Sequence, residues 1–337
     1  MPIELKKTIL VVGGAGYIGS QMVLKLKEQG YQPLVLDNFS TGHRQVLNEV
    51  EVIEGELADR PLLDHIFSSR PISAVMHFAS CIEVAESVRN PAKYYQNNVA
   101  NTLCLLRALC QWEIKHFIFS SSAAVYGQPQ YTPIDEAHPL APINPYGRSK
   151  WMVEQMLEDF AHAEDLTYVS LRYFNAAGAD ARGRTGEMHP NETHLIPLIL
   201  QVASKQRQAV SVYGRDYPTL DGTCIRDYIH VDDLCSAHLL ALEALLAGGG
   251  SKIYNLGTGS GYSVKEVIEV AQEVTGQYIK IEEAPRRPGD PAILLADPSL
   301  ARKELGWQPQ SSDLAKIIED AWRFTIYQLG KTRVLPI

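Results

Sequence analysis

The feature that most constrains this chain is a glycine-rich turn directly after a short apolar run near its start. The run TILVV (8–12) is rich in β-branched residues, which is typical of a strand buried on both faces. GGAGYIGS (13–20) follows it, and the next residues, QMVLKLKEQG, carry apolar side chains at helical spacing and end in glycine. A strand, a glycine turn and a helix in this order predict a dinucleotide site, where backbone N–H groups approach a pyrophosphate.

The second predicted strand indicates which dinucleotide is bound. PLVLD ends in Asp37, eighteen residues after Gly19. A carboxylate at this place accepts hydrogen bonds from the adenosine ribose hydroxyls and repels a 2′-phosphate. The sequence therefore predicts NAD rather than NADP, with Gly13, Gly16 and Gly19 at its pyrophosphate.

Strand and helix patterns continue to alternate along the chain. Strands are predicted at 74–79, 116–122 and 167–174, and helices around 92–110 and from 146. This alternation predicts an α/β fold with a Rossmann-type, doubly wound parallel sheet and helices on both faces. Ligands of such sheets lie at the carboxyl ends of the strands. Those ends are predicted at Asp37 and at residues 78–79, 120–122 and 173–175.

The segment NPYGRSK (144–150) provides candidates for catalysis. Pro145 is well tolerated in a first helical turn, so Tyr146 and Lys150 share one face of the helix that follows. A phenol with its ordinary pKa of about 10 is a weak base at neutral pH. Lowering that pKa by about three units, roughly 4 kcal/mol, requires cations such as a nearby ammonium together with the nicotinamide. With Ser122 at the end of the preceding strand, the pair is predicted to transfer a proton beside a hydride acceptor, rather than to be an accidental surface pair.

Further motifs cover nearly the whole chain in order. They are GGAGYIGS (13–20), LDNFS (36–40), HFA (77–79), ESVRNPAKYYQNNV (86–99), FSSSAAVYG (119–127), NPYGRSK (144–150), LRYFNAAGA (171–179), HLIPLI (194–199), GRDYPTLDGTCIRDYIHVDDL (214–234), YNLGTG (254–259) and APRRPGD (284–290). With these motifs the chain resembles the extended short-chain dehydrogenase/reductase family, and within it the UDP-glucose 4-epimerases. A dehydratase relative would carry Thr-Asp-Glu where this chain has Ser121, Ser122 and Ala123.

The resemblance implies a mechanism and a set of site residues. Tyr146 is expected to take the proton of the sugar 4-hydroxyl, Lys150 to hold the nicotinamide ribose, and Ser122 to orient that hydroxyl, so that UDP-glucose and UDP-galactose interconvert through a 4-keto sugar. The implied NAD contacts are Gly13, Gly16, Tyr17, Ile18, Gly19, Asp37, Asn38, Glu56, Leu57, Phe78, Ala79, Asn97, Ser120, Tyr146, Lys150 and Tyr173. The implied contacts to the UDP-hexose substrate are Ser122, Tyr146, Asn175, Leu195, Tyr213, Arg226, Arg287, Asp290 and Leu294.

Three positions qualify the resemblance. Glu56 stands where many relatives have Asp to read adenine, and it can still accept that hydrogen bond. Ile82 replaces a lysine that contacts the cofactor in some members, so that ionic contact is lost. Leu294 lies where the branch varies the residue beside the C2 substituent of the sugar, and leucine is intermediate between the bulky and the small choices.

Several alternatives therefore stay open. UDP-N-acetylglucosamine, UDP-glucuronate or a UDP-pentose could be the substrate of the same catalytic residues. A dehydrogenase that releases its keto product would accumulate NADH. A non-enzymatic NAD-sensing regulator would be expected to lack the Tyr146–Lys150 pair.

Composition and charge exclude other classes. The net charge of −8, with no basic cluster longer than the pair Arg286–Arg287, argues against nucleic-acid binding. Five cysteines without a CxxC pair, and no apolar run of about 20 residues, indicate a cytoplasmic protein without a membrane span. Glu187, His189 and His194 are loosely spaced with no helix to fix them, so no metal is expected; HPNETHLIPLI is instead predicted to cap a helix of the substrate domain.

The predicted organisation is two interleaved domains. Residues 1–175 form the NAD-binding domain, to which 226–260 return with a helix and the strand KIYNLG. Residues 176–225 and 261–337 form a smaller mixed α/β domain for the nucleotide sugar. The family resemblance implies a homodimer through the helices near 92–110 and 146–163, although both could equally be helices that only cover the sheet.

Overall fold

The fold is known from a computed structural model that describes residues 6–47, 49–287 and 289–334. Residues 1–5 and 335–337, at the outer ends of the two predicted domains, lie outside the described part. The strands are β1 (Thr8–Val12), β2 (Gln32–Asp37), β3 (Glu51–Glu54), β4 (Ile72–His77), β5 (His116–Ser122), β6 (Thr167–Tyr173), β7 (Asn175–Ala177), β8 (Val210–Tyr213), β9 (Ile225–Arg226), β10 (Tyr228–His230), β11 (Lys252–Leu256), β12 (Tyr262–Ser263), β13 (Ile281–Ala284) and β14 (Ile293–Leu294).

The helices are α1 (Tyr17–Glu28), α2 (Arg60–Ser69), α3 (Val84–Arg89), α4 (Pro91–Tyr94), α5 (Asn101–Gln111), α6 (Pro145–Ala163), α7 (Leu195–Ala203), α8 (Val231–Leu246), α9 (Val264–Thr275), α10 (Ser299–Leu305) and α11 (Leu314–Val334). The helix predicted around 92–110 is not continuous, because a π-helical turn, Tyr95–Ala100, separates α4 from α5. The strand predicted at 74–79 ends earlier, at His77, so that Phe78 and Ala79 lie in the loop beyond it. None of the described helices combines the length and apolar character that crossing a membrane would require.

Seven strands form one parallel sheet in the order β11-β6-β5-β4-β1-β2-β3. β1 is buried along its whole length and pairs with β2 on one side and β4 on the other. The strand order therefore reverses at β1, and a crevice opens beyond the carboxyl ends of β1 and β4. The predicted Rossmann-type α/β fold is confirmed.

Helices cover both faces of this sheet. On one face α1 and α8 pack against it and against each other, with Met22 and Leu242 fully buried between them and the strands. On the other face α2, α5 and α6 contribute Leu63, Leu105 and Val153 to a second apolar layer. The sheet is thus buried on both sides, which is why its strands are apolar runs rather than alternating ones.

A smaller unit stands beside the crevice. Helices α7, α9 and α11 pack around a core with Ile199, Ile268 and Ile317, next to the paired strands β8 and β13. Strand β9 pairs with β12 and β14, and β7 pairs with β10. Trp307, just after α10, is fully buried against the large sheet's helix α8, where its indole N–H donates to the Asp233 carbonyl at 3.0 Å.

Candidate active site

The glycine turn after β1 has no room for a side chain at Gly13 or at Gly19. Gly13 has φ +78°, and a Cβ placed there would lie 2.5 Å from the backbone nitrogen of Ala79. A Cβ on Gly19 would lie 2.1 Å from the Gly13 carbonyl oxygen. Gly16 precedes α1 without a side-chain cap, so the first N–H groups of that helix are available to an anion. The turn therefore fits the pyrophosphate of a dinucleotide.

Two further residues predicted at the cofactor begin α1. The Tyr17 hydroxyl donates to the Gly178 carbonyl at 2.7 Å, and Tyr17 lines a narrow cavity with Gly16 and His189. Ile18 packs against the apolar layer below α1. Because their side chains are engaged elsewhere, Tyr17 and Ile18 can offer only their backbone N–H groups to the pyrophosphate.

Asp37 connects the end of β2 to the glycine turn. Its carboxylate accepts hydrogen bonds from the backbone N–H groups of Ala15 and Phe39, both at 2.8 Å. Burial raises the pKa of Asp37, and these two N–H groups oppose that shift. Beside it the Asn38 amide donates to Glu56 at 3.0 Å, while Leu57 is buried. The carboxylate is therefore oriented before any ribose binds.

The catalytic candidates meet at the ends of β5 and α6. Asn144 caps α6 by accepting from the Gly147 N–H at 2.8 Å, and Tyr146 follows at the first turn. Ser122 ends β5, and its side chain is close enough to the Tyr146 hydroxyl to lower the pKa of the phenol. The Lys150 ammonium lies 5.9 Å from the centre of the Tyr146 ring. The structure thus brings Ser122, Tyr146 and Lys150 into one group.

Lys150 is held below this group by β5 and the loop after β4. Its ammonium donates to the Ser80 hydroxyl and to the Ser120 carbonyl, both at 2.7 Å. Burial lowers the pKa of Lys150 to about 7, although the negative charge of Glu154 opposes the shift. An ammonium has three N–H donors, so one remains for another acceptor.

Burial works against the ionisation of Tyr146. It raises the pKa of the phenol, and the neighbouring Ser122 side chain only partly opposes that shift. The Lys150 ammonium faces Ser80 and Ser120 and lies 5.9 Å from the centre of the Tyr146 ring. The cations expected from the sequence, this ammonium together with the nicotinamide, would have to overcome the effect of burial.

A buried ion pair lies beneath the catalytic group. Arg172 on β6 donates two hydrogen bonds to the Glu154 carboxylate on α6, at 3.0 Å and 2.7 Å. The Ser121 hydroxyl on β5 donates to the same carboxylate at 2.6 Å. Tyr126 accepts from Arg172 at 3.0 Å and donates to Asn255 on β11 at 2.7 Å. This network, which the sequence did not indicate, connects α6 to three strands of the sheet.

His238 on α8 is another residue of this site that the sequence patterns did not indicate. Its Nδ1 lies 2.9 Å from the Leu234 carbonyl, which can only accept, so Nε2 is left to accept from the Ser120 hydroxyl at 3.4 Å. The ring lies 5.0 Å from that of Phe78 and 6.4 Å from that of Tyr173. Burial lowers the pKa of His238 to about 4, which keeps it neutral. It therefore positions three of the predicted cofactor contacts.

The π-helical turn carries adjacent asparagines. Asn97, a predicted cofactor contact, donates to the Asn98 side chain at 2.9 Å. Asn98 is buried, donates to the Ser149 hydroxyl and the Cys81 carbonyl at 3.0 Å each, and accepts from the Cys81 N–H at 2.8 Å. Asn98 thus joins the loop after β4 to α6. In that loop Ile82, the departure from the family lysine, is exposed.

Four of the predicted substrate residues form one group in the smaller unit. Arg287 donates to the Asp290 carboxylate at 2.9 Å and lies over the Tyr213 ring, 4.8 Å from its centre. Arg226 donates to the Pro291 carbonyl at 2.9 Å and has its guanidinium 3.9 Å from Asp290. Two cations therefore flank one carboxylate beside an exposed aromatic ring.

The other predicted substrate residues are Leu294, Asn175 and Leu195. Leu294 pairs with Arg226 across β14 and β9, and it packs against a cluster that contains Phe174. Asn175, two residues after Tyr173, begins β7. Leu195 begins α7 and packs against the core of the smaller unit.

The loosely spaced histidine segment adopts a compact arrangement. Glu187, His189 and His194 come together and are joined by Glu192, with one candidate ligand atom of each within 4.8 Å of the others. The segment does precede a helix, as expected, but His194 at the N-cap of α7 makes no side-chain capping bond. Residues that are loosely spaced in the sequence therefore lie together in the fold.

Comparisons with known proteins agree with this geometry. The model of the NAD dependent epimerase/dehydratase family matches residues 9–257. UDP-glucose 4-epimerase of Halalkalibacterium halodurans is 52% identical over 316 residues, 94% of this chain and 95% of that protein.

Solved structures of related proteins also superpose closely on this chain. UDP-glucose 4-epimerase from Brucella ovis in complex with NAD superposes with a TM-score of 0.92 at 48% identity, covering 94% of this chain and 98% of that one. The UDP-Glc/GlcNAc 4-epimerase of Campylobacter jejuni gives a TM-score of 0.83 at 43% identity, covering 95% and 99%. By sequence and by structure, the chain belongs to the NAD dependent epimerase/dehydratase family.

Proposed function

We propose that this protein interconverts UDP-glucose and UDP-galactose with NAD as its cofactor, by oxidising C4 of the sugar and reducing it again on the opposite face. The observation that carries the proposal is the grouping of Tyr146, Ser122 and Lys150 at the ends of β5 and α6, together with a glycine turn shaped for a dinucleotide. Two relatives named UDP-glucose 4-epimerase, 52% and 48% identical to this chain in sequence, support it.

The catalytic residues divide the work between them. NAD, when bound, supplies the hydride acceptor and donor at the sugar C4. Tyr146 takes the proton of the 4-hydroxyl as C4 is oxidised and returns it after the sugar has turned, while Ser122 holds that oxygen. Lys150 uses two of its donors on Ser80 and Ser120, which leaves the third for the nicotinamide ribose.

The smaller unit holds the nucleotide. Arg226 and Arg287 match the two phosphates of a UDP group, because guanidinium groups bind phosphate oxygens in pairs of hydrogen bonds. Tyr213, 40% exposed, offers a face for the uracil ring. Fixing the UDP moiety retains the 4-keto intermediate while the hexose rotates, since only the sugar has to move.

The range of UDP-sugars that the site accepts is proposed to depend on Leu294. It packs between the arginine group and the cluster around Phe174, where the C2 substituent of a bound sugar is expected. A relative at 43% identity is named for both UDP-glucose and UDP-N-acetylglucosamine. UDP-N-acetylhexoses are therefore the second candidate substrates.

The test is conversion of UDP-galactose by purified protein without added cofactor. Wild type should form UDP-glucose from its bound NAD, and Tyr146→Phe should lose nearly all activity while it retains NAD. Tyr131→Phe is a matched control, because Tyr131 is exposed and its hydroxyl donates only to Asp135. No product from folded, NAD-loaded wild type would reject the hexose assignment, and UDP-glucuronate and UDP-xylose would be assayed next.

We further propose that the protein is a homodimer through α5 and α6. Leu103 on α5 and Met152 on α6 are 38% and 39% exposed, which is unusual for large apolar side chains on sheet-covering helices. Light scattering should give twice the mass of one chain. The double variant Leu103→Glu with Met152→Glu should no longer dimerise and should give the mass of one chain.

The domain assignment and the location are also proposals. Residues 1–175 with 226–260 are proposed to bind NAD, and 176–225 with 261–337 the nucleotide sugar. The core around Ile199, Ile268 and Ile317 supports a second unit, while α10 and Trp307 pack against the large sheet's helix α8. A cytoplasmic location is supported by the five cysteines, all of which are free thiols.

A further inference from the structure

Residues 186–194 lie over the glycine turn, away from the catalytic group. Met188 and His189 line a narrow cavity together with Gly16 and Tyr17. The His43 ring donates through Nε2 to the Met188 carbonyl at 2.7 Å, and the Asn191 amide donates to the Glu83 carboxylate at 3.0 Å. The segment is thus attached on both sides of the region where a dinucleotide pyrophosphate is expected.

Within this segment four polar side chains converge on one point. The His189 Nδ1 lies 3.1 Å from the Glu187 carboxylate and 3.6 Å from that of Glu192. The His194 Nδ1 contacts the same Glu187 oxygen and lies 3.6 Å from Glu192. Both imidazoles therefore present the same type of nitrogen to the same two carboxylates.

The charge balance of this cluster calls for a cation. The side chains of Glu187 and Glu192 are only 6% exposed. Among the residues that the structure describes, neither carboxylate has a lysine or arginine partner, and both pair with His189 and His194 instead. Buried carboxylates need a counter-charge, which here is either two protonated imidazoles or a metal ion.

The distances favour a metal ion. Tetrahedral Zn²⁺ binds imidazole nitrogen and carboxylate oxygen at about 2.0–2.2 Å, which places neighbouring ligand atoms roughly 3.4 Å apart. Three of the four nitrogen–oxygen separations, 3.1, 3.6 and 3.6 Å, lie around that value, and the fourth, the hydrogen-bonded contact of His194 with Glu187, is shorter. All four ligands come from residues 187–194, so only a short loop has to close around the ion.

We infer that Glu187, His189, Glu192 and His194 bind one divalent transition-metal ion, Zn²⁺ for preference, and that this ion fixes the segment over the cofactor turn. Two imidazole nitrogens with two carboxylate oxygens are a ligand set that suits zinc better than calcium or magnesium. The site is separate from Tyr146 and Lys150, and it adds a structural element to the proposed epimerase without a step in its chemistry.

The experiment titrates ZnCl₂ into NAD-loaded protein that has been stripped with a chelator and desalted. Calorimetry and metal analysis after desalting should show one equivalent per chain with a Kd below about 1 μM, and X-ray absorption should show a nitrogen and oxygen shell at about 2.0–2.1 Å. His194→Gln changes the most exposed ligand and should weaken binding at least about tenfold. His65→Gln, an exposed histidine on α2, is the matched control and should bind as wild type does.

Circular dichroism and NAD content without zinc establish that each variant is folded. Glu187→Gln provides a second variant at a buried ligand, and the absorption spectrum of wild type tests the site without any substitution. Less than about a tenth of an equivalent in wild type would overturn the inference, and so would equal affinity of wild type and His194→Gln. In either case paired imidazolium groups would be the counter-charge of the two carboxylates.

Discussion

The buried ion pair of Glu154 and Arg172 allows a quantitative test of what supports the catalytic group. Both side chains are 4% exposed, and Ser121 adds a hydrogen bond to the same carboxylate. Glu154→Gln keeps the shape of the side chain but removes its charge, which leaves the Arg172 guanidinium buried without a counter-charge. Breaking a buried pair in this way costs about 3–5 kcal/mol.

That free energy converts into a melting temperature. An unfolding entropy of about 2.1 cal/mol/K per residue gives roughly 0.7 kcal/mol/K for 337 residues. Glu154→Gln should therefore lower Tm by about 4–7 °C. The double variant Glu154→Leu with Arg172→Met should recover most of the loss, because apolar groups of similar size replace such pairs at little cost.

Scanning calorimetry of NAD-loaded protein measures both changes. Asp165→Asn is the control, because its ion pair with Lys115 is largely exposed and should contribute less than about 1 kcal/mol, or about 1 °C. The reasoning is refuted if Glu154→Gln melts within the range of the Asp165→Asn control. It is equally refuted if the double variant melts below the single one.

Three further outcomes are expected. Gly19→Ala should lose most of its bound NAD, measured by absorbance after denaturation, because the new methyl would lie 2.1 Å from the Gly13 carbonyl oxygen; full NAD occupancy would contradict the tight turn. Burial lowers the pKa of Lys150 from 10.5 to about 7, so between these pH values Lys150 is protonated in the unfolded chain but not in the folded one. The free energy of unfolding of wild type, measured with urea, should therefore rise relative to that of Lys150→Met as pH rises from 7 to 10. Parallel pH profiles of the two proteins would contradict this. Leu294→Tyr should abolish any turnover of UDP-N-acetylglucosamine and retain that of UDP-glucose; unchanged discrimination would remove Leu294 from the sugar site.

Sequence patterns predicted the parts of the fold that local physics determines. β1 and the glycine turn are recognisable because a fully buried strand must be apolar and because the turn has no room for a side chain at Gly13 or Gly19. β3 and α2 were not predicted. β3 lies at the sheet edge, its two glutamates are exposed and only its two middle residues are half-buried, so it gives no apolar run. At the break between α4 and α5, the Asn98 side chain contacts Cys81 and Ser149, which are distant in sequence. The spacing of apolar residues along a helix cannot predict such contacts.

The candidate site likewise contains some residues that the sequence predicts and others that it does not. Tyr146 and Lys150 are four residues apart on one helix, so their relation is visible in the chain. Arg172 and Glu154 come from separate elements that only the sheet brings together, and His238 lies in an ordinary apolar helix pattern. The raised pKa of Tyr146 could not be predicted either, because it depends on burial rather than on residue type.

The late position of β11 has a consequence for synthesis of the chain. β11 completes the large sheet beside β6, and α8, which covers α1, is made just before it. At about 5–20 residues per second, residues 176–256 take roughly 4–16 s to appear after β6 has been made. During that interval the nascent sheet has an unpaired outer strand, of the kind that other chains can join. A ribosome that stalls before residue 256 therefore carries a partial sheet whose exposed outer strand is prone to aggregate.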